Sequence, residues 1–237
     1  MAAERDRLPS AIVQAASDRR GGATEVARRA LDGLLEIAGD PGLLALAAEV
    51  LLEGQPAMAP IWHLAGAARS DDPAAALAGL RERLDHDGAA AVEVAASWLR
   101  KWLDKRQGPV ATVSHSSQVD AVLQRLGQRV VVAEAGRRNA VVAMVGSDAI
   151  GPKALLNAAG TRLLAARLPT LVVSTPLKLV PAGVFARLAA PGFEVVPLDL
   201  VTAVALGPEL LAPTAAGRRA AALEGRQLRG STRSSGP

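Results

Sequence analysis

The sequence contains no cysteine, and aromatic residues make up only 2% of its 237 positions. Without cysteine the chain forms no disulfide, binds no metal through thiolates and offers no nucleophilic thiol. Half of the residues are apolar, so the core must consist mainly of alanine, valine and leucine. Such a core favours helices, because alanine and leucine have high helix propensity.

Long apolar segments and the common nucleotide motifs are also missing. The stretch GLLALAAEVLL is interrupted by Glu49 and is too short to span a bilayer, and MAAERDRLPS has no apolar signal core. Neither G-x-x-x-x-G-K-[ST] nor G-x-G-x-x-G after a strand occurs. His63 and His86 lie in separate helical patterns, and no metal-ligand spacing is present. We therefore expect a cytoplasmic protein without a metal or other cofactor and without a membrane partner.

The net positive charge of the chain comes from its C-terminal end. Residues 215–237 contain five arginines and one acid, Glu224, so this segment carries the whole formal charge of +4. A terminal segment rich in glycine, serine and arginine is typical of a solvated tail. We predict that residues 215–237 are disordered and that any contact with nucleic acid is weak and sensitive to salt.

The first half of the chain has the apolar spacing of helices. From residue 24 to about residue 106, apolar residues recur at helical intervals in five segments, with breaks at GDPG, EGQP and SDDP. This pattern predicts a helical bundle over residues 1–107.

After residue 107 short β-branched runs alternate with helical patterns. VATV, RVVVAE, AVVAMVG, TLVVS and FEVVP are interpreted as strands, whereas SQVDAVLQRLG, KALLNAAGTRLLAARL and PAGVFARLA are interpreted as helices. This alternation is typical of a parallel sheet covered on both faces. The fold class predicted for the whole chain is α/β, with an N-terminal helical bundle domain followed by a Rossmann-like parallel-sheet domain over residues 108–214.

Two loops of this sheet carry polar side chains where a ligand is expected. Asp148 follows the strand AVVAMVG, and residues 114–117, with the sequence SHSS, precede a helix. Ligands of such sheets bind beyond the carboxyl ends of the strands, where helix N-termini also point. Aspartate and serine are equally common as helix caps, so a purely structural role remains open for both loops. A hydrolase triad of Ser114, His115 and Asp148 is disfavoured, since no G-x-S-x-G turn occurs.

Six segments taken together resemble a known family. RRGGATEVARRAL, QPAMAPIWHL, TVSHSSQVDAVL, VGSDAIGPKALLNAAGT, LVVSTPLKLV and FEVVPLDLVTAV follow the order seen in the regulatory subunits of translation initiation factor two-B. The relatives of these subunits include the methylthioribose-1-phosphate and ribose-1,5-bisphosphate isomerases. The resemblance covers roughly residues 20–213. It implies a sugar-phosphate site between a helical and a Rossmann-like domain, and a homodimer formed through the latter.

The resemblance assigns a role to Asp148 and raises a question about Ser114. In the isomerases an aspartate and a cysteine carry the reaction, and Asp148 matches the aspartate. Ser114 stands at the position of the cysteine, and a hydroxyl is far less acidic than a thiol. Half of the catalytic pair is therefore missing.

The resemblance also implies a ligand-binding set with several departures. Gln55 replaces an arginine of the isomerases, and Ala158 replaces a lysine that contacts ligand. Loss of two cations weakens the expected binding of phosphate. Between the two strands before Asp148 the family has a Glu-Ser-Arg-Pro turn followed by a further helix and strand. Glu134 and Arg137 of the turn remain here, but little else does. The expected ligand-binding residues are Arg20, Gly21, Gln55, His115, Ser116, Ser117, Asn157 and Lys178.

Three functions follow as hypotheses. The first is binding of a sugar phosphate or nucleotide-like phosphate between the domains without efficient isomerase activity. The second is an isomerase that converts an aldose 1-phosphate to a ketose with Asp148 as its acid/base group. The third is a non-catalytic subunit that acts through its protein partners.

Overall fold

A computed structural model describes residues 5–127, 132–133 and 139–231, with side chains described as far as residue 224 except at 132–133. Glu134 and Arg137 lie outside these ranges. Within the described residues, no helix has the length and apolarity required to cross a bilayer.

The N-terminal half is helical, as the apolar spacing predicts. Pro41 and Pro73 occupy first helical positions, where their missing N–H groups cost nothing, and Asp40 and Asp72 cap the same helices with their carboxylates. The last two predicted helices are one continuous helix of 33 residues. The helices are α1 (Ser10–Ser17), α2 (Ala23–Glu36), α3 (Pro41–Gly54), α4 (Ala59–Ala67) and α5 (Pro73–Lys105).

The C-terminal half contains a parallel sheet in the order β2-β1-β3-β6-β8-β9, in which only β9 is antiparallel to its neighbour. The sheet has apolar clusters on both faces, one of which contains residues of α5. The predicted α/β fold class with a helical N-terminal part and a Rossmann-like sheet is therefore confirmed, whereas the exact domain limits stay a prediction. The strands are β1 (Val110–Ala111), β2 (Val132–Ala133), β3 (Val142–Val145), β6 (Thr170–Ser174), β8 (Ala203–Leu206) and β9 (Glu209–Leu211).

A second sheet, antiparallel and in the order β4-β5-β7, corrects part of the sequence interpretation. Its strands are β4 (Ala149–Ile150), β5 (Ala154–Ala158) and β7 (Phe193–Pro197). The predicted helix KALLNAAGTRLLAARL is strand β5 followed by helix α7 (Thr161–Arg167), separated at Gly160 with φ of 99°. The predicted last parallel strand, FEVVP, is β7 of this second sheet, and β8 was not predicted.

The remaining helices cover the sheets and connect their strands. Helix α6 (Ser117–Leu126) follows β1, and α8 (Ala182–Phe185) follows a short 3-10 turn at Pro176–Lys178. The last helix, α9 (Pro213–Ser231), corrects the prediction of disorder for residues 215–231, and two of its own residues, Ala216 and Ala220, are fully buried in the core. Residues 232–237 lie outside the described ranges.

Candidate functional site

A cavity of about 260 Å³ lies where the N-terminal helices meet the two sheets. It is formed by the loop before α2, the loop before α6, the segment between β3 and β4, and the adjoining ends of β5 and β7. The sequence-predicted residues that line it are Arg20, Gly21, Ser114, His115, Ser116, Ser117, Asp148, Asn157 and Lys178.

Two helix N-termini converge on this cavity. Ser116 caps α6, since its Oγ accepts a hydrogen bond from the N–H of Val119 at 3.5 Å, and Gly22 occupies the same position before α2. The two caps lie close together: a Cβ atom on Gly22 would lie 3.6 Å from the carbonyl oxygen of His115 and 3.7 Å from Cα of Ser116. Free N–H groups at helix N-termini attract anions. The capping role left open for Ser116 is thus compatible with a binding role for the loop.

The loop before α2 contains Arg19 and Arg20 and is called the arginine loop; it is fixed by hydrogen bonds to Asp18. Its Oδ1 accepts hydrogen bonds from the backbone N–H groups of Arg20 and Gly21, both at 2.8 Å, and its Oδ2 accepts one from Arg29 at 2.6 Å. These backbone hydrogen bonds lower the pKa of Asp18 to about 2. Asp18 therefore stays ionised and fixes Arg20 at the edge of the cavity.

Asp148 is buried, with 8% of its surface exposed. Burial raises the pKa of its carboxyl group to about 6, although the nearby Lys178 ammonium acts in the opposite direction. Its backbone N–H donates to Leu156 and its carbonyl oxygen accepts from Ala59. Asp148 precedes the short strand β4, and this corrects the expectation that a helix follows it. No described side chain donates a hydrogen bond to the carboxylate, which leaves it available to a ligand.

Lys178 brings a buried ammonium group to the same cavity. It is 3% exposed, and burial lowers its pKa to about 8 while Asp148 raises it. Its Nζ donates one hydrogen bond, to Oε1 of Gln118 at 3.4 Å. Among the described residues no ion pair within 4.0 Å involves Asp148 or Lys178. The carboxylate of Asp148 and the ammonium of Lys178 thus shift each other's pKa without forming an ion pair.

Ser114 has an unusual backbone conformation. Its φ is 59°, and it is the sole non-glycine residue with a positive φ in the part of the chain that the structure describes. Such a conformation costs about 1–3 kcal/mol and is concentrated at functional sites. No hydrogen bond joins Ser114 to His115, whose ring nitrogens face Asp120 at 2.9 Å and Glu25 at 3.5 Å. This geometry does not form the triad that the sequence analysis had disfavoured.

Strand β5 supplies Asn157 and Ala158 to the cavity wall. Asn157 is buried, and its Nδ2 donates to Oγ1 of Thr161 at 2.9 Å, which orients the amide. Ala158 is paired with Phe193 across the antiparallel sheet, and both line the cavity. The wall is therefore uncharged at the position where the resemblance predicts a lysine.

Gln55 does not line the cavity, in contrast to the expectation from the resemblance. The residue is buried, and its Nε2 donates to the carbonyl oxygens of Ala15 at 2.8 Å and Asp18 at 2.6 Å. Both carbonyls lie at the C-terminal end of α1, where no further helical turn satisfies them. Gln55 therefore stabilises the start of the arginine loop through hydrogen bonds, without lining the cavity.

Several lining residues were missed by the sequence analysis. Ser147 is next to Asp148, and its Oγ lies 2.9 Å from Oγ of Ser174 at the end of β6. Gly146 allows close packing, since a Cβ atom there would lie 2.8 Å from Oγ of Ser116. The spatial neighbours of the other missed residues are not revealed by the sequence pattern: Arg19, Gly22, Ala23, Thr24, Met58, Pro191, Gly192 and Phe193.

The described residues contain no group of three or more histidine, aspartate or glutamate side chains arranged to hold a metal ion. The side chains that line the cavity are suited to hydrogen bonding, charge pairing and proton transfer. Arg19, Arg20 and Lys178 provide positive charge, and Asp148 is the single carboxylate among the lining residues.

The fold is similar to that of several solved structures, whereas no family model and no curated protein sequence matches the chain. The translation initiation factor eIF-2B of Pyrococcus horikoshii OT3 has a TM-score of 0.68 at 18% identity, over 87% of this chain and 98% of its own. The eIF2B beta of Chaetomium thermophilum has a TM-score of 0.60 at 13% identity, over 93% and 94% of the two chains. The 5-methylthioribose 1-phosphate isomerase of Pyrococcus horikoshii OT3 has a TM-score of 0.54 at 13% identity, over 90% and 87%.

These likenesses confirm, as a matter of fold, the resemblance found in the sequence. The chain has the fold shared by eIF-2B subunits and methylthioribose-1-phosphate isomerase. The homodimer and the cytoplasmic location stay predictions.

Proposed function

Because the chain has a fold shared by eIF-2B subunits and a sugar-phosphate isomerase, we propose that it binds a sugar phosphate or a nucleotide-like phosphate in the cavity beside Asp148. The phosphate lies against the N-termini of α2 and α6, within reach of Arg20 and Lys178. Asp148 and Asn157 accept hydrogen bonds from ligand hydroxyl groups.

The observation that carries this proposal is the convergence of two helix N-termini and a buried ammonium group on one cavity. Each helix N-terminus favours a negative group by about 0.3–1 kcal/mol. A buried ammonium favours it more strongly, because charge-assisted hydrogen bonds gain strength where water is excluded. Among the described residues, Nζ of Lys178 makes a single hydrogen bond, so its other N–H groups are available to a ligand.

The same cavity argues against efficient isomerisation. Moving a proton between two carbons of a sugar needs groups that exchange protons near neutral pH. Ser114 stands where the resemblance places a cysteine, and serine does not ionise in this range. The proposal is therefore binding without efficient turnover.

The proposal is tested by calorimetric titration with ribose 5-phosphate, adenosine monophosphate and inorganic phosphate. We expect binding of at least one of them, with affinity reduced about 10- to 100-fold in Lys178→Met because one charge-assisted hydrogen bond is lost. Lys153→Met is the matched control, since Lys153 is exposed and lies outside the cavity. Absence of heat and of thermal stabilisation with all three ligands would contradict the proposal.

A second candidate, an isomerase that relies on Asp148, is favoured by the raised pKa of that carboxyl. A pKa of about 6 suits a group that takes and returns a proton near neutrality. Incubation with aldose 1-phosphates in deuterated water tests it: ketose formation that disappears in Asp148→Asn supports turnover. If wild type leaves every aldose 1-phosphate unchanged, this candidate is excluded.

A further inference from the structure

Gln118 is a buried polar residue that the proposed site does not explain. It lies in the first turn of α6 with 4% of its surface exposed, and it does not line the cavity. Its Oε1 accepts the hydrogen bond from Nζ of Lys178 at 3.4 Å. Its Nε2 has no partner among the described residues although it is sealed from solvent. Leaving a buried amide N–H unpaired is unfavourable, so packing alone does not account for a glutamine at this position.

The side chain of Gln118 lies against helix α5. Gly88 of α5 faces it, and a Cβ atom on Gly88 would lie 3.7 Å from Nε2 of Gln118. Helix α5 is in close contact with α6 along this face. The amide of Gln118 therefore lies between helix α5 and the ammonium of Lys178.

We propose that Gln118 is a positioning residue for Lys178, which accepts one N–H of the buried ammonium and thereby directs the remaining two toward the cavity. This inference rests on the proposed phosphate site for its functional meaning, but the contact itself exists without a ligand. A neutral acceptor suits this role. It stabilises the charged form of the lysine without competing for it as a second carboxylate would.

The contact links ligand binding to helix α6. Lys178 belongs to the turn after β6, whereas Gln118 is two residues beyond the cap Ser116. A phosphate bound to Lys178 and to the N-terminus of α6 would therefore contact two elements that are joined to each other by the hydrogen bond between Lys178 and Gln118. Displacement of the lysine by removal of Gln118 lowers affinity without changing any residue that touches the ligand.

The experiment follows the Lys178 ammonium by NMR of lysine labelled with ¹³C at Cε, in the full chain and without ligand. Lysines occur at positions 101, 105, 153 and 178 alone, so the Lys178 signal is assigned by its loss in Lys178→Met. Gln118→Leu removes the acceptor, and we expect the titration midpoint of Lys178 to fall by about one pH unit. Gln118→Glu places a carboxylate beside the ammonium and should raise the midpoint above that of wild type.

Gln124→Leu is the matched control, because Gln124 is exposed on the same helix. A Lys178 midpoint that is equal in wild type and Gln118→Leu, with both proteins folded by circular dichroism, overturns the inference. So does an equal shift in Gln124→Leu, since that would indicate a general effect of α6.

A parallel titration with inorganic phosphate separates this inference from the proposed function. If phosphate binds, Gln118→Leu should weaken it about tenfold and Gln124→Leu should not, and equal affinities in all three proteins overturn the functional part of the inference. If phosphate, ribose 5-phosphate and adenosine monophosphate all fail to bind wild type, the proposed function fails. A shifted Lys178 midpoint in Gln118→Leu then still supports the positioning contact.

Discussion

The backbone N–H of Ala59, the first residue of α4, donates a hydrogen bond to the carbonyl oxygen of Asp148 at 3.0 Å. On the other side, the N–H of Asp148 donates to the carbonyl oxygen of Leu156 at 2.9 Å. The main chain of Asp148 is thus fixed both by the N-terminal helices and by the antiparallel sheet. Among the described residues its carboxylate accepts no hydrogen bond, so burying the negative charge of Asp148 is unfavourable for stability.

Asp148→Asn should stabilise the unliganded protein above pH 6. The pKa of Asp148 is about 6 when folded and 3.8 in the reference state. A raised pKa means that the contribution of the carboxyl to stability is present below about pH 4 and is lost as the pH rises through 6. The full loss corresponds to about 3 kcal/mol, and an asparagine avoids it.

Urea denaturation at pH 4 and pH 7.5 measures this effect. The midpoint of Asp148→Asn should exceed that of wild type at pH 7.5 and approach it at pH 4. Asp199→Asn removes an exposed carboxylate outside the cavity and serves as the control. A lower midpoint for Asp148→Asn at pH 7.5 would show that its attraction to Lys178 outweighs its burial.

Ser114→Gly should also stabilise the protein. The φ of 59° at Ser114 is strained for a residue with a Cβ atom but not for glycine. We expect a gain of about 1 kcal/mol in the free energy of unfolding. Ser114→Ala is the control, since it removes the hydroxyl but keeps the Cβ and therefore the strain. Equal stability of the two variants would disprove strain at this position.

Gly54→Ala should be strongly destabilising, whereas Gly79→Ala should not. A Cβ atom at Gly54 would lie 2.4 Å from the carbonyl oxygen of Ala16, and backbone atoms of α1 cannot move away without unpacking the helix. We expect a loss of at least about 2 kcal/mol. At Gly79, within α5, a Cβ meets nothing within 4 Å, and alanine should add about 0.5–1 kcal/mol through helix propensity. Thermal melts of the two variants, shifted in opposite directions, check both statements.

Gln55→Leu should destabilise the loop that carries Arg20. The substitution leaves the carbonyl oxygens of Ala15 and Asp18 without the donor they have in wild type. We expect a loss of about 2–4 kcal/mol, measured by urea denaturation. In a second variant, Gln55→Arg, the added cation should not strengthen phosphate binding, because residue 55 lies outside the cavity. A higher phosphate affinity of Gln55→Arg than of wild type would show that this side chain reaches the ligand.

The sequence was informative wherever local periodicity decides the structure. The helices of the N-terminal half have apolar residues at helical intervals and start at Pro41 and Pro73 after capping aspartates, so their existence was predictable. The junction near residue 86 was not, because the polar residues HDG interrupt the apolar pattern while α5 continues through them. Helix propensity and tertiary contacts outweigh this local interruption, in which His86 is exposed but Gly88 is buried.

The second sheet shows what periodicity cannot decide. ALLNA has the composition of a helix. It forms strand β5 because its backbone pairs with the antiparallel strands β4 and β7, and no local pattern identifies these pairings. Much of the candidate site was predictable: Asp148 and the SHSS loop follow strands of one sheet, and Lys178 was identified through the family resemblance. Gln118 and Phe193 were not, because their positions depend on how α6 and β7 pack.

The proximity of Gly22 to the loop before α6 also bears on cooperativity. Gly22 lies near the beginning of the chain and Lys178 more than 150 residues later, yet both border one cavity of about 260 Å³. Neither half of the chain encloses this space alone, so an occupant connects the two halves as a crosslink would. Partial unfolding of either half would release it, and occupancy should therefore slow amide hydrogen exchange in the α2 and β6 segments together.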